Sequence, residues 1–466
     1  MRACLSLTVF VLLPILALSA EERSTRIQNV ILLISDDLKA SVLGCYGDPH
    51  CQTPNIDRLA KQGMVFERAY CQGTSCRPSR TSMMFGRYKD QKGQTLGEQL
   101  QANEMHTVRV GKIFHMRVPG DIIAGTDGID YPKCWTERFN SPGQEAHTPG
   151  EYACLNLNRF TTDLANREST RMKNRMFVSV KQQGDGSDQP DYKSATKAIE
   201  ILKREHDKPF FMGVGFVRPH YPMVAPPEDF ARYPIDRMEL PDNWSDDLSD
   251  IPAAGKAGTR NDNNPIGHFP ENQKRMWSAY YASVTFMDRQ VGRVLAALDD
   301  SPYRDNTAVI FTSDHGYHLG EHGFWQKSNL HEEVIRVPLI IRVPGGNPGR
   351  TDSIVELLDL YPTVCELTRT PVPSHVQGTS LVPVLSDPGR AVKESALSFH
   401  RGTSLRTKNW HFMEYTDGTR ELYDMAVDPG ELANLASNPK HADTVERLSE
   451  TLRDRLRHLD ERKSQR

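Results

Sequence analysis

Apolar residues along this chain recur with two different periods. Four short runs, 29–34, 210–216, 308–312 and 337–341, are apolar on consecutive positions and end in polar residues or turn signals. That is the pattern of strands buried on both faces of a parallel sheet. Between them, apolar positions recur at helical spacing. Thr53-Pro54 opens one such segment as N-cap and first-turn proline, Ile56, Leu59 and Ala60 share a face, and Gly63 closes it. A longer segment, 272–298, carries Met276, Ala279, Ser283, Met287, Val291, Val294 and Leu298 on one stripe. Strands alternating with helices predict an α/β sheet covered on both faces. Residues 184–187 and the Gly-, Asn- and Pro-rich stretch 251–267 read as surface excursions. Past 386–389 the composition shifts, and strand-like pieces at 396–399 and 410–414 precede a last helix with Val445, Leu448, Leu452, Leu456 and Leu459 on one stripe. The predicted organisation is a large α/β domain over 24–385 and a C-terminal subdomain over 386–466, a small antiparallel sheet with a terminal helix.

The N-terminus adds a destination. Arg2 precedes an apolar run over 5–18 that closes on Ala17-Leu18-Ser19-Ala20, so residues 1–20 read as a signal peptide and the chain as exported. That run is shorter than the roughly 20 apolar residues a spanning helix needs, and no membrane span is expected in the mature chain. The destination is a periplasmic, secreted or lysosomal-type compartment. With 57 Lys and Arg against 60 Asp and Glu in 466 residues, the formal charge of -3 offers no basic excess for nucleic acid. An oxidising destination permits disulfides. Of eight cysteines, Cys4 falls in the signal, which leaves an odd number and at least one that is unpaired or chemically special. Cys134 and Cys154 bracket a loop rich in Pro and Gly and are the expected pair; Cys45, Cys51 and Cys71 lie close together, and Cys365 sits in a helical pattern. Cys76 is singled out by its neighbours.

In an open α/β sheet, ligands bind beyond the carboxyl ends of the strands. The first run ends in Ser35-Asp36-Asp37 and the third in Ser313-Asp314-His315-Gly316. Adjacent carboxylates at a strand end raise each other's pKa unless a cation lies between them. Three carboxylates imply a hard divalent ion, Ca2+ or Mg2+, although His315 is a softer ligand than calcium usually takes. His318 and His322 would suit zinc only on a helix, and Gly316, Gly320 and Gly323 predict a loop there. The strongest local signal is Ser75-Cys76-Arg77-Pro78-Ser79-Arg80. Pro78 fits a first helical turn, so Cys76 stands at a helix N-terminus, where N–H groups and the dipole favour an anion, and Arg80 lies one turn on along the same side.

Cys76-Arg77-Pro78-Ser79-Arg80 resembles the Cys-x-Pro-Ser-Arg signature of type I sulfatases. The likeness runs through Asp36-Asp37, Gly111-Lys112-Ile113-Phe114-His115, Arg218-Pro219-His220, Ser313-Asp314-His315-Gly316, Leu319-Gly320-Glu321-His322-Gly323 and Lys327. Within that family it resembles the iduronate-2-sulfatase branch, which has histidine where many sulfatases have asparagine after the second metal aspartate, as at His315. The resemblance implies an alkaline phosphatase-like fold, a large mixed, mostly parallel sheet sandwiched by helices, with a smaller C-terminal α+β subdomain. It implies that Cys76 is converted to formylglycine by a formylglycine-generating or anaerobic maturation enzyme, and that Asp36, Asp37, Asp314 and His315, with residue 76, hold one Ca2+. Hydrated formylglycine would attack sulfur, Arg80 would orient it, and Lys112 and Lys327 would bind the sulfate. His220, with Lys327 beside it, would protonate the leaving alcohol, and His115 would take a proton so that the aldehyde reforms.

The implied substrate is a sulfated carbohydrate, in particular a 2-O-sulfated uronic acid, with Arg218 or another nearby cation as the partner for the uronate carboxylate. Specificity is expected in loops 119–151 and 236–270. The oligomeric state stays open. So do two other readings: a phosphodiesterase or phosphonate hydrolase of the same superfamily, and a protein that binds sulfated glycans without turnover. A two-zinc phosphatase would want further His and Asp ligands and a Ser or Thr nucleophile. Loss of a metal aspartate, Cys76 or Arg80 would mark a non-catalytic binder, and none is lost.

Overall fold

The computed structural model describes residues 27–167, 171–246 and 248–464; the expected signal peptide lies outside them. Its centre is β1 (Asn29–Asp36), buried along its whole length. Side chains alternate across a strand, so Ile31 and Leu33 enter the hydrophobic core on one face of the sheet while Val30, Leu32 and Ile34 enter the core on the other. Helices α1 (Pro54–Gln62), α3 (Pro190–Leu202) and α4 (Pro270–Asp299) cover the first face, and α2 (Cys76–Phe85) helps to cover the second. The remaining strands of the sheet are β2 (Met64–Tyr70), β3 (His106–Gly111), β4 (Glu137–Phe139), β5 (Phe210–Pro219), β6 (Thr307–Ser313), β7 (Leu339–Arg342), β8 (Gly349–Glu356) and the short pair Arg336–Val337.

The sheet is mixed. β1 pairs in parallel with β6 and β5, β5 with β3, and β3 with β4, whereas β7 runs antiparallel to both β6 and β2. The expectation of a parallel strand at 337–341 is corrected here. The run is broken at Pro338, which has no N–H for a ladder and whose carbonyl accepts from Thr312 Oγ1 (2.8 Å). An apolar run records burial, not direction.

Past the main sheet, β9 (Ser395–Phe399), β10 (Gly402–Thr407), β11 (Trp410–Tyr415) and β12 (Arg420–Asp424) form an antiparallel meander. α5 (Ala442–Ser464) lays Val445, Leu448 and Leu452 against Leu397, Leu405, Phe412 and Leu422. The meander docks on the loop between β2 and α2: the Phe399 N–H donates to Gln72 O (3.0 Å), and Gly73 bridges Phe399 in parallel. No described helix is long and apolar enough to cross a membrane.

The disulfide expected between Cys134 and Cys154 is absent. All the described cysteines are free thiols; Cys134 lies against Gly97, and Cys154 Sγ is 3.4 Å from Asn156 Oδ1. An odd count therefore does not distinguish Cys76, and what does is its surroundings.

Candidate active site

Parallel register brings the two acidic strand ends together. Ser35 of β1 stands opposite Ser313 of β6, so the residues that follow, Asp36-Asp37 and Asp314-His315, emerge side by side at one sheet edge. Asp37 adopts a left-handed φ of 64°, and the Tyr280 hydroxyl of α4 donates to its carbonyl (2.6 Å). β3 ends at Gly111, whose φ is 68° and where a Cβ would stand 2.3 Å from Gly215 O. Only glycine lets β3 turn there and deliver Lys112. β5 ends at Pro219 and delivers His220.

α2 opens with Cys76 facing this edge. Arg80, one turn later and fully buried, spends all five donors: Nε on Asp314 Oδ2 (2.8 Å), Nη2 on Asp36 Oδ1 (3.1 Å) and Ser35 O (3.2 Å), and Nη1 on Lys112 O (2.5 Å) and Ile113 O (3.0 Å). Burial works against its charge, but Asp314 and Asp36 more than offset that and raise its pKa. These five bonds leave Arg80 to act on residue 76 through its charge. It ties three strand ends together from below.

Around Cys76 Sγ lie Lys327 Nζ (3.2 Å), His315 Nε2 (3.4 Å), and Asp37 Oδ1 and Lys112 Nζ (each 3.9 Å). Lys112 also pairs with Asp36, and Lys327 Nζ with Asp37 Oδ1 (2.5 Å). Burial pushes the Cys76 thiol up, with Asp36 adding to it. Burial would also raise Asp36, but Lys112 and Arg80 hold it well below the usual carboxylate range, whereas at Asp37 burial wins over Lys327.

The histidines are oriented by their own backbone. His315 Nδ1 lies 2.9 Å from Gly316 O and His220 Nδ1 2.6 Å from Tyr221 O. Both bonds fix Nδ1–H as donor and leave Nε2 facing the cluster, 3.3 Å from Asp37 Oδ1 for His315 and 3.7 Å from Asp37 Oδ2 for His220. Burial, followed by Lys327, depresses His220 well below the usual imidazole range. Half-buried His115 is lowered to about 4, by burial first and then by Lys112.

The residues fit a hard divalent ion on two counts. Asp37 Oδ2 is buried without a hydrogen-bond partner, and the ligand atoms of Asp36, Asp37, Cys76 and His220, and those of Cys76, Asp314 and His315, lie within 4.8 Å of one another. The donor set is mostly carboxylate oxygen, which suits Ca2+ or Mg2+ over zinc. His318 and His322 are engaged elsewhere, with Asn329 Oδ1 (3.0 Å) and Asp246 Oδ2 (2.7 Å), on a hairpin and not a helix.

Arg218 is not available to a substrate. It is fully buried, with Nη2 on Glu145 Oε2 (2.9 Å) and Nη1 on His220 O (3.1 Å), and this corrects its expected pairing with a uronate. Two residues without a sequence signal complete the support: Glu145, and Asp191, whose carboxylate accepts from the N–H groups of Val217 (2.7 Å) and Arg218 (3.1 Å). Asp191 follows Pro190 in a first helical turn, where an acidic residue is unremarkable. A cavity of about 930 Å³ bordered by Tyr152, Phe160, Phe230 and Tyr233 includes none of the site residues.

The family model described as Sulfatase matches residues 28–370, and one described as N-sulphoglucosamine sulphohydrolase, C-terminal, matches 320–458. A sulfatase of Formosa agariphila is 30% identical over 91% of this chain and 86% of its own. The iduronate 2-sulfatase of Mus musculus is 32% identical over 74% and 69%. A solved structure of a protein in complex with its substrate D-glucosamine-2-N,6-O-disulfate superposes with a TM-score of 0.75 at 21% identity, covering 94% of this chain and 99% of the other.

Proposed function

The chain belongs to the sulfatase family, whose members are sulfuric ester hydrolases, and from that premise we propose that it removes the 2-O-sulfate of a uronic acid in a glycosaminoglycan-like carbohydrate, using formylglycine at position 76 and one Ca2+. The observation that carries the reading is the convergence of Asp36, Asp37, Asp314, His315, Lys112 and Lys327 on the single side chain of Cys76. The likeness to iduronate 2-sulfatase supports the choice of sugar.

Asp36, Asp37, Asp314 and His315 would hold the ion, with residue 76 completing the set; when bound, it supplies positive charge against the nucleophile and the sulfuryl oxygens. Cys76 Sγ marks the place of the formylglycine oxygens, and that group, hydrated, supplies a hydroxyl to attack sulfur and a second whose proton can be removed to expel sulfate. Lys112 and Lys327 reach the same place from two sides and fix the sulfate oxygens by charge-assisted hydrogen bonds. His220 gives the leaving alkoxide its proton from Nε2. Because Nδ1–H is committed to Tyr221 O, that proton arrives only on a fully protonated ring, which the negative sulfate favours as it docks beside Lys327. His115, held neutral, is the base.

Export through the N-terminal segment and maturation by a formylglycine-forming enzyme belong to the same proposal. Sulfate release from a panel of defined sulfated disaccharides, with the peptide containing residue 76 weighed by mass spectrometry, tests it. Release confined to 2-O-sulfated uronates and scaling with converted Cys76 is the expected result. Full turnover by protein whose Cys76 is entirely thiol would sink the formylglycine, and faster cleavage of a phosphonate monoester or phosphate diester would favour the phosphohydrolase reading instead.

A further inference from the structure

Within the motif that opens α2, one charged residue faces away from the carboxylates. Ser79 and Arg80 are buried against Asp314, whereas Arg77 is exposed and has no hydrogen-bond or ion-pair partner among the described residues. It borders a cavity of about 400 Å³ together with Gly73, Pro78, Lys89, Gln91 and Phe399. Helical geometry puts positions 77, 78 and 81 on the flank opposite Cys76 and Arg80, so the cavity adjoins the nucleophile's helix without sharing its floor.

The far wall comes from the C-terminal meander. Gly73 stands opposite Phe399 in a parallel bridge, and Lys89 Nζ lies 4.0 Å from the centre of the Phe399 ring. A Cβ on Gly73 would meet Pro78 Cβ at 2.7 Å, so the loop lies tightly on the first turn of α2. The charge of Arg77 also acts on the Tyr131 hydroxyl, which is bonded to Gln91 of the same cavity lining. Asp90, the carboxylate bordering the cavity, is engaged by Arg87 (Nη2–Oδ2 2.9 Å).

An exposed guanidinium with a free planar fork, a second cation bordering a cavity of sugar dimensions, and a place next in the chain to the reacting residue together make an anion subsite. We propose that this cavity receives a second anionic group of the substrate, a carboxylate or a further sulfate on the same or the adjoining sugar, and that Arg77 is the residue that selects for it. The inference rests on the reading of the protein as a sulfatase of acidic carbohydrate. It assigns the C-terminal meander a part in specificity, through the wall that Phe399 builds.

The test compares disaccharides that share one scissile sulfate. One pair differs by uronate carboxylate against its methyl ester, the other by N-sulfate against N-acetyl on the adjoining sugar. KM and kcat for sulfate release are measured for wild type, Arg77→Ala and Arg77→Lys. Wild type is expected to favour the anionic member of one pair by about tenfold, mainly in KM, which is the scale of one partly exposed charge-assisted contact; the pair that discriminates identifies the group. Arg77→Ala brings that ratio close to one, and Arg77→Lys retains part of it. Each ratio is taken within one protein, so differences in folding or in conversion of Cys76 cancel. Equal kcat/KM for both members of both pairs in wild type, or an unchanged ratio in Arg77→Ala, overturns the subsite and leaves the sulfatase reading intact. Failure of matured wild type to release sulfate from any member overturns the carbohydrate reading and the subsite with it.

Discussion

Replacing His331 by glutamine should change how the fold depends on pH. His331 is fully buried four residues after Lys327, with Nδ1 2.8 Å from Glu431 Oε2 and Nε2 3.5 Å from Glu421 Oε2 of β12. Glu431 Oε2 also accepts from the N–H of Glu332 (3.1 Å), and His411 is on its other oxygen. His318, His322 and Tyr423 pack around the ring, with Asp246 acting at longer range. This cluster clamps the C-terminal meander to the segment that carries Lys327. Burial alone would depress the imidazole, but Glu421 and Glu431 more than offset it and raise it to about 9. An unfolded histidine titrates near 6.5. The folded value is the higher one, so the stabilisation is fully present below about pH 6.5 and is lost as pH rises through 9. Its whole size is about 3 kcal/mol, of which linkage removes about 2 kcal/mol between pH 7 and pH 9. The assay is the urea midpoint of wild type and His331→Gln at a series of pH values. The gap between them should close by roughly half a molar over that interval, for a denaturant slope of about 4 kcal/mol/M in a chain this long. A gap that stays flat from pH 6 to 9.5, or widens, would mean that no imidazolium is held there.

Three further outcomes are expected. Exhaustive chelation should abolish sulfate release and lower Tm, with Ca2+ restoring both in wild type and neither in Asp37→Asn; activity that survives chelation removes the metal from the scheme. His220→Gln should cut kcat for a sugar sulfate by about 10²–10⁴-fold and for an aryl sulfate far less, because a phenolate leaves without a proton; equal losses on both would deny His220 the role of acid. Arg218→Ala should leave Glu145 as a buried unpaired charge and destabilise the fold by about 3–5 kcal/mol, read as a drop in Tm that Glu145→Gln in the same chain partly reverses.

What the sequence discloses here follows the range of the physics involved. Asp36-Asp37 and Asp314-His315 are legible because a strand end is a local pattern and parallel pairing is implied by the helices between the strands. The motif at Cys76 is legible because a first-turn proline and an arginine one turn later are local as well. Direction of pairing is not local, which is why 337–341 reads as parallel and folds antiparallel around Pro338. The roles of Arg80 and Arg218 depend on which acceptors surround a buried fork. Those acceptors lie 73 positions away for Glu145 and 234 for Asp314. The sequence suggests Arg80 as the residue that orients position 76 and Arg218 as a partner for a uronate, whereas the fold buries both forks among carboxylates and carbonyls. Arg77 reverses the case: it passes as the variable letter of a motif until the fold shows that it alone of the motif's charges is free.

Charge balance explains why those buried forks are needed. At the sheet edge Asp36, Asp37 and Asp314 face Arg80, Lys112 and Lys327, so three carboxylates meet three cations in a region almost without solvent. Such a cluster is near neutral and holds together, yet a neutral cluster has no reason to attract a sulfate ester. The two kinds of cation differ in what they can give up. Arg80 has every donor committed and stays with its carboxylates, whereas each lysine bears three rotatable donors on a flexible stem and shares one carboxylate with the space around Cys76. A divalent ion taken up by the same carboxylates would release the lysine ammonium groups toward an incoming anion and leave the site with a surplus of positive charge. The distribution of arginine and lysine thus separates support from recognition. Arg80→Lys should therefore damage metal binding and fold together, while Lys112→Arg and Lys327→Arg should leave the fold standing and weaken sulfate capture, a division that Tm and KM measured on the same variants would expose.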